Sequence, residues 1–111
     1  MNINNFSDKI VFNILKKIEF GYLELINHNG EYYKFGNPNE TLKANIRIKN
    51  PNFTFNLIRG GSVGLAESYM KNDFESDDLS NLIEFTARNI KQIHKFSGLL
   101  DLPFINYVKN F

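Results

Sequence analysis

The chain contains no cysteine and no tryptophan, and among its 111 residues there are 3 prolines, 2 methionines and 2 histidines. Without cysteine there is no disulfide framework, no thiolate metal site and no thiol nucleophile, which is compatible with a reducing compartment. The histidines, His28 and His94, lie far apart in sequence, and neither has a serine or carboxylate at a spacing that suggests a triad, so no metal centre is expected. No apolar run reaches the roughly 18–20 residues needed to span a membrane. The asparagine-rich start, Met1 to Asp8, lacks the basic-then-apolar order of a leader peptide. These absences lead to the expectation of a cytoplasmic protein that meets a membrane, if at all, as a peripheral one at the inner membrane. A net charge of +1, from 13 basic and 12 acidic side chains, gives no general attraction to nucleic acid.

What the chain does have is rings. Hydrophobic residues make up 42% and aromatics 14%, with 11 Phe and 5 Tyr, enough for one bulky core in one domain. That domain is expected over residues 1–98, with 99–111 as a tail or the start of a linker. Ser7 is placed to cap a helix carrying Ile10, Val11, Ile14, Leu15 and Ile18 on one stripe, with Gly21 as its end. Tyr22 to Phe35 reads as a hairpin. A two-residue Asn29-Gly30 turn sets Leu25 opposite Lys34, whereas a three-residue loop, His28 to Gly30, sets Leu25 opposite Tyr33 and Leu23 opposite Phe35. The second register gives a continuous apolar face and is preferred. After the Asn37-Pro38 turn, Leu42, Ala44, Ile46 and Ile48 alternate with Lys43, Asn45, Arg47 and Lys49, a third strand with one wet face.

Asn50 and Pro51 signal a short helix to about Ile58, burying Phe53 or Phe55 with Leu57 and Ile58. Ser62 can cap a second helix reaching about Asn72, and Ser76 or Asp77 opens a third with Leu79, Leu82, Ile83, Thr86, Ala87, Ile90 and Ile93 at offsets of three and four. Asp101 and Pro103 suggest a last helical turn. The fold class expected is α+β, a three-stranded antiparallel meander with about four helices packed on one face.

Several residues invite a chemical reading. Arg59, Gly60, Gly61 and Ser62 meet a helix start, where free N–H groups favour an anion such as a lipid phosphate. The competing reading is that the glycines permit tight turning and close helix packing. The segment is neither a Walker loop nor a dinucleotide fingerprint. Glu67 stands within an apolar helix face, where an inward carboxylate must be hydrogen-bonded, and a structural acceptor is expected rather than an acid–base group. Tyr69, Met70 and Phe74 read as packing residues or as the lining of a lipid-chain groove. Lys43, Arg47 and Lys49 share the wet face of the third strand with Arg59 nearby, either a solvated surface or a patch for anionic headgroups.

Gly61, Gly64, Glu67, Tyr69, Met70, Phe74, Asp78 and Leu79 together carry a resemblance. The pattern is similar to the amino-terminal domain of the cyclopropane-fatty-acyl-phospholipid synthases, which read roughly G-x-x-G-x-x-E-x-Y-M-x-G-x-W/F before an aspartate-leucine helix start. It extends over about Phe20 to Asn89, including the Phe35-Gly36 turn and the alternating third strand. Two departures are Asn72-Asp73, where the family usually has a glycine-containing pair, and Phe74, where tryptophan is common. The resemblance implies a non-catalytic lipid-engaging or interaction module. Its partners would be a separate or lost S-adenosylmethionine-dependent methyltransferase domain or subunit and a phospholipid surface. No acidic-G-x-G-x-G loop occurs, so no cofactor is expected in this chain. The alternatives are a free-standing fatty-acyl carrier and a purely structural subunit that forms a homo-oligomer.

Overall fold

A computed structural model of the chain describes residues 6–91, so the expected features at Ile93, His94, the Ser97-Gly98 boundary, Asp101 and Pro103 lie outside the described residues. The architecture is α+β: helix α1 (Phe6–Leu15), strands β1 (Tyr22–Ile26), β2 (Tyr32–Gly36) and β3 (Lys43–Ile48), helix α2 (Phe53–Met70), strand β4 (Phe74–Glu75) and helix α3 (Leu79–Arg88).

The hairpin forms in the three-residue register. Leu23 faces Phe35 and Leu25 faces Tyr33. Asn27 N–H donates to the Glu31 carbonyl at 2.9 Å to close the loop, and Gly30 supplies the positive φ of 82°. His28 is exposed in that loop, as expected.

The meander is not what forms. The sheet has four strands in the order β2-β1-β3-β4, with β1 and β3 parallel. The residues from Asn37 to Leu42 pass across the start of β1, where Gly21 N–H donates to Glu40 Oε1 and Tyr22 N–H to the Leu42 carbonyl, both at 3.0 Å. Burial explains the choice. β1 brings Leu23 and Leu25 to the core and suits the centre, whereas β2 exposes Tyr32, Lys34 and Gly36 and suits an edge. The parallel register sets Leu23 beside Ala44 and Leu25 beside Ile46, so the buried face stays continuous. β4, which pairs Arg47 with Glu75 and Ile48 with Phe74, is too short to leave a sequence pattern.

The helices cover one face of this sheet, over a core that joins Val11, Phe12, Leu23, Leu25, Phe35, Ile46, Phe53, Phe74, Leu82 and Phe85 among others. In α1, Val11 and Ile14 are buried as the stripe predicts, and Phe12 joins them by packing its ring 4.8 Å from Tyr33 and 5.8 Å from Phe35. Ser7 does not cap this helix. It lies inside the first turn, buried, with its hydroxyl 2.9 Å from Thr54 Oγ1, and Thr54 donates at 2.5 Å to Asp8. The helix also ends before Gly21, because beyond Leu15 the chain tightens into turns of the i→i+3 kind at Lys17 and Ile18.

The two helices expected around Gly61 are the two halves of α2, which bends where Gly61 takes φ 54° and ψ −129°. The helix starts at Phe53, preceded by Asn52, while Asn50 holds the turn by accepting from Asn52 N–H at 2.9 Å. Phe53 is buried and Phe55 is 48% exposed. In α3 the N-cap is Asp78, not the expected Ser76 or Asp77, and it accepts from Asn81 N–H at 3.0 Å, at the aspartate-leucine pair of the resembled pattern. Leu82 and Phe85 form its buried side, and Ile83 and Ala87, assigned to the apolar stripe, face out.

Candidate functional site: an apolar cavity and a polar pocket

Between the sheet and the three helices lies an apolar cavity of about 140 Å³. Leu23, Leu25 and Ile46 form its floor, and α1 and both halves of α2 its walls, with Ile14, Leu57 and Leu65 prominent among them. Gly61 lines it too, so the bend that the glycine permits also shapes the void. Asn89 reaches the cavity but is already committed. Its Oδ1 accepts from Glu19 and Phe20 N–H at 3.0 Å each, and its Nδ2 donates to the Phe20 and Phe85 carbonyls at 2.9 Å each. The cavity therefore offers contact surface and few hydrogen bonds.

A further concavity, of about 160 Å³, is polar and sits at the bend of α2. Arg59 and Gly60 come from the first half of the helix, Gly64, Glu67 and Ser68 from the second, and Lys71 from its C-cap. The halves meet so closely that a Cβ on Gly64 would stand 2.3 Å from the Asn56 carbonyl oxygen, whereas one on Gly60 would meet nothing within 4 Å. The glycine at 64 therefore serves close packing, and the one at 60 leaves open space. The Arg59 guanidinium lies 5.5 Å from the Phe55 ring centroid.

Glu67 is exposed rather than inward. The bend at Gly61 resets the phase of the second half of α2, which turns Ser68 inward in its place. Met70 is 76% exposed and Tyr69 49% exposed, so neither is a core residue, although the Tyr69 ring lies 5.7 Å from that of Phe74. Phe74, at 1% exposure, is the packing residue expected. Asn72 adopts a positive φ of 63°, a conformation that glycine takes freely and asparagine tolerates better than most residues. Ser62 follows the bend within α2.

The outer face of the sheet is charged but largely self-paired. Arg47 contacts Glu75 at 3.5 Å and Asp77 at 3.1 Å, and Lys49 contacts Glu75 at 3.1 Å. Hydrogen bonding from Lys49 holds the Glu75 carboxyl below its ordinary range, and Asn45 and then Arg47 do the same for Asp77. Of the three basic residues, Lys43 alone has no ion-pair partner among the described residues, so the strand does not present a bare basic patch. On the same face a hydrogen bond to Glu24 pushes the Tyr32 phenol up to about 12.

No protein-family model, curated protein or solved structure matches the chain. Geometry alone bears on function. It brings Arg59 and Gly60 of the expected anion site into the polar pocket and Gly61 to the apolar cavity, and it leaves Lys43, Arg47 and Lys49 on a different face. Ser68 and Lys71 went unrecognised in the sequence, although they recur at helical spacing from Gly64 and Glu67 and so share a side with them. No group of three or more potential metal ligands occurs among the described residues, and no helix there is long and apolar enough to cross a membrane.

Proposed function

We propose that this chain is a lipid-engaging module that takes a short stretch of hydrocarbon into the cavity between sheet and helices. In this reading it serves beside a separate S-adenosylmethionine-dependent methyltransferase, in the manner of the amino-terminal domain of the cyclopropane-fatty-acyl-phospholipid synthases. The cavity carries the proposal. At about 140 Å³ with walls of Leu, Ile and Phe, it is close to the roughly 150 Å³ of engineered apolar voids that stay dry and accept benzene. A body of that size corresponds to the end of an acyl chain rather than its whole length. Support for the family resemblance comes from its glycines and cap. Gly61 and Gly64 stand where a positive φ and a close backbone approach require them, Asn72 is left-handed where the family pattern has a glycine-containing pair, and Asp78 caps α3.

Native mass spectrometry of protein purified from cells, with displacement of a fluorescent fatty acid, tests this reading. Leu65→Trp should fill the cavity, keep the fold and abolish displacement. Absence of both co-purified lipid and displaceable probe from the wild type rejects the proposal. The free-standing carrier reading shares the cavity and differs in the partner, so methyltransferase activity in the reconstituted mixture separates the two.

A further inference from the structure

The polar pocket at the bend of α2 has features of a built site that the apolar cavity does not explain. Arg59 and Lys71 converge on it from the two halves of the bent helix, and neither has an ion-pair partner among the described residues, in contrast to Arg47 and Lys49 on the sheet. Ser68 lines the same pocket, is 2% exposed, and its hydroxyl has no hydrogen-bond partner among the described residues. A buried hydroxyl without a partner loses its water without compensation, so a ligand that bonds it recovers that loss. Gly60 leaves room where any side chain would project.

We propose that this pocket binds a phosphodiester monoanion, with Arg59 and Lys71 supplying the charge and Ser68 donating a hydrogen bond. The charge balance selects the ligand. Two cations and the Glu67 carboxylate leave the pocket one positive charge in excess, which matches a diester bearing one negative charge and disfavours a phosphate dianion beside Glu67. Guanidinium and ammonium groups are the usual partners of phosphoryl oxygens. The source of the diester, a phospholipid headgroup, rests on the lipid-engaging reading; the site itself does not.

The test is a titration of the full chain followed by amide NMR, with glycerophosphoglycerol as the soluble diester, inorganic phosphate as the dianion-forming control, and vesicles of phosphatidylglycerol. Saturable shifts centred on Gly60, Gly64 and Ser68 are expected with the diester. Arg59→Gln with Lys71→Gln should weaken it by at least about tenfold, as expected for losing charge-assisted hydrogen bonds. Gly60→Ala should keep the melting temperature while weakening binding, and Glu67→Gln should improve inorganic phosphate more than the diester. Shifts that do not saturate, or that persist unchanged in the double variant, overturn the site. Diester binding without vesicle binding supports the site and rejects the membrane headgroup as its source. Loss of cavity lipid in Leu65→Trp with diester binding intact shows that the two sites stand independently.

Discussion

Asn89→Ala should destabilise the fold more than any exposed asparagine substitution, because one fully buried amide joins the end of α3 to the connection between α1 and β1. Truncation removes the side-chain bonds to three backbone groups: Glu19 N–H, Phe20 N–H and the Phe20 carbonyl. The Phe85 carbonyl keeps its bond from the Asn89 backbone N–H at 3.3 Å. An unsatisfied buried group costs about 1–3 kcal/mol, and Glu19 and Phe20 are exposed enough to recruit some water, so the low end applies. The total is about 3 kcal/mol, a large part of the stability of a small domain. With a urea m-value of about 1.5 kcal/mol/M, the midpoint should fall by about 2 M. Asn89→Asp keeps the shape and the two acceptors but turns lone pairs toward the Phe20 and Phe85 carbonyls. It should be as unstable as the alanine at neutral pH and recover in part as the pH falls toward about 4, where a protonated carboxyl donates again. The exposed Asn13→Ala serves as the reference. A midpoint for Asn89→Ala within experimental error of that reference refutes the reasoning.

Gly64→Ala should lose about 1–3 kcal/mol in thermal or urea denaturation through overpacking against the Asn56 carbonyl, whereas Gly60→Ala should not. Thr54→Val removes the buried hydroxyl that donates to Asp8 and contacts Ser7, and a loss of about 1–3 kcal/mol is expected; an unchanged melting temperature sinks that account. The carboxyls of Glu75 and Asp77 have lowered folded pKa values, so their contribution is present above the unfolded values, 4.5 and 3.8, and disappears as the pH drops through the lower folded ones. Acid denaturation of Glu75→Gln should accordingly show a shallower acid limb than the wild type. Tyr32 has a raised folded pKa, so its contribution is full below 10 and disappears as the pH rises through about 12; absorbance titration of tyrosinate should show a late-ionising component that Glu24→Gln brings forward.

Much of the local structure was legible in the sequence because it depends on neighbours along the chain. The hairpin register follows from which residue pairs keep one apolar face, and the apolar repeat announces α3, although its cap is Asp78 rather than the expected Ser76 or Asp77. The pairing of β1 with β3 was not legible, since both parallel and antiparallel neighbours preserve the alternation of Ala44, Ile46 and Ile48. The deciding factor is the relative burial of β1 and β2, which appears only once the sheet is assembled. The same holds for the candidate sites. Glycines at 60, 61 and 64 announced a bend, but the left-handed step at Gly61 set the phase that turned Glu67 outward, buried Ser68 and joined Lys71 to Arg59. The charged strand face misled because its carboxylate partners, Glu75 and Asp77, lie in and after a strand of two residues.

With five paired positions on each side, β1 is a member shared by the two halves of the sheet, whereas β2 and β4 are each bonded on one side. Without either edge strand the remaining strands are still paired to one another, but losing β1 divides the sheet in two. Breathing motions of low cost therefore belong to the edges and helices rather than to the centre. Leu23, Leu25 and Ile46, the floor of the apolar cavity, sit on that last-opening part. The walls of the cavity, by contrast, are helical, and the bend at Gly61 lies among them.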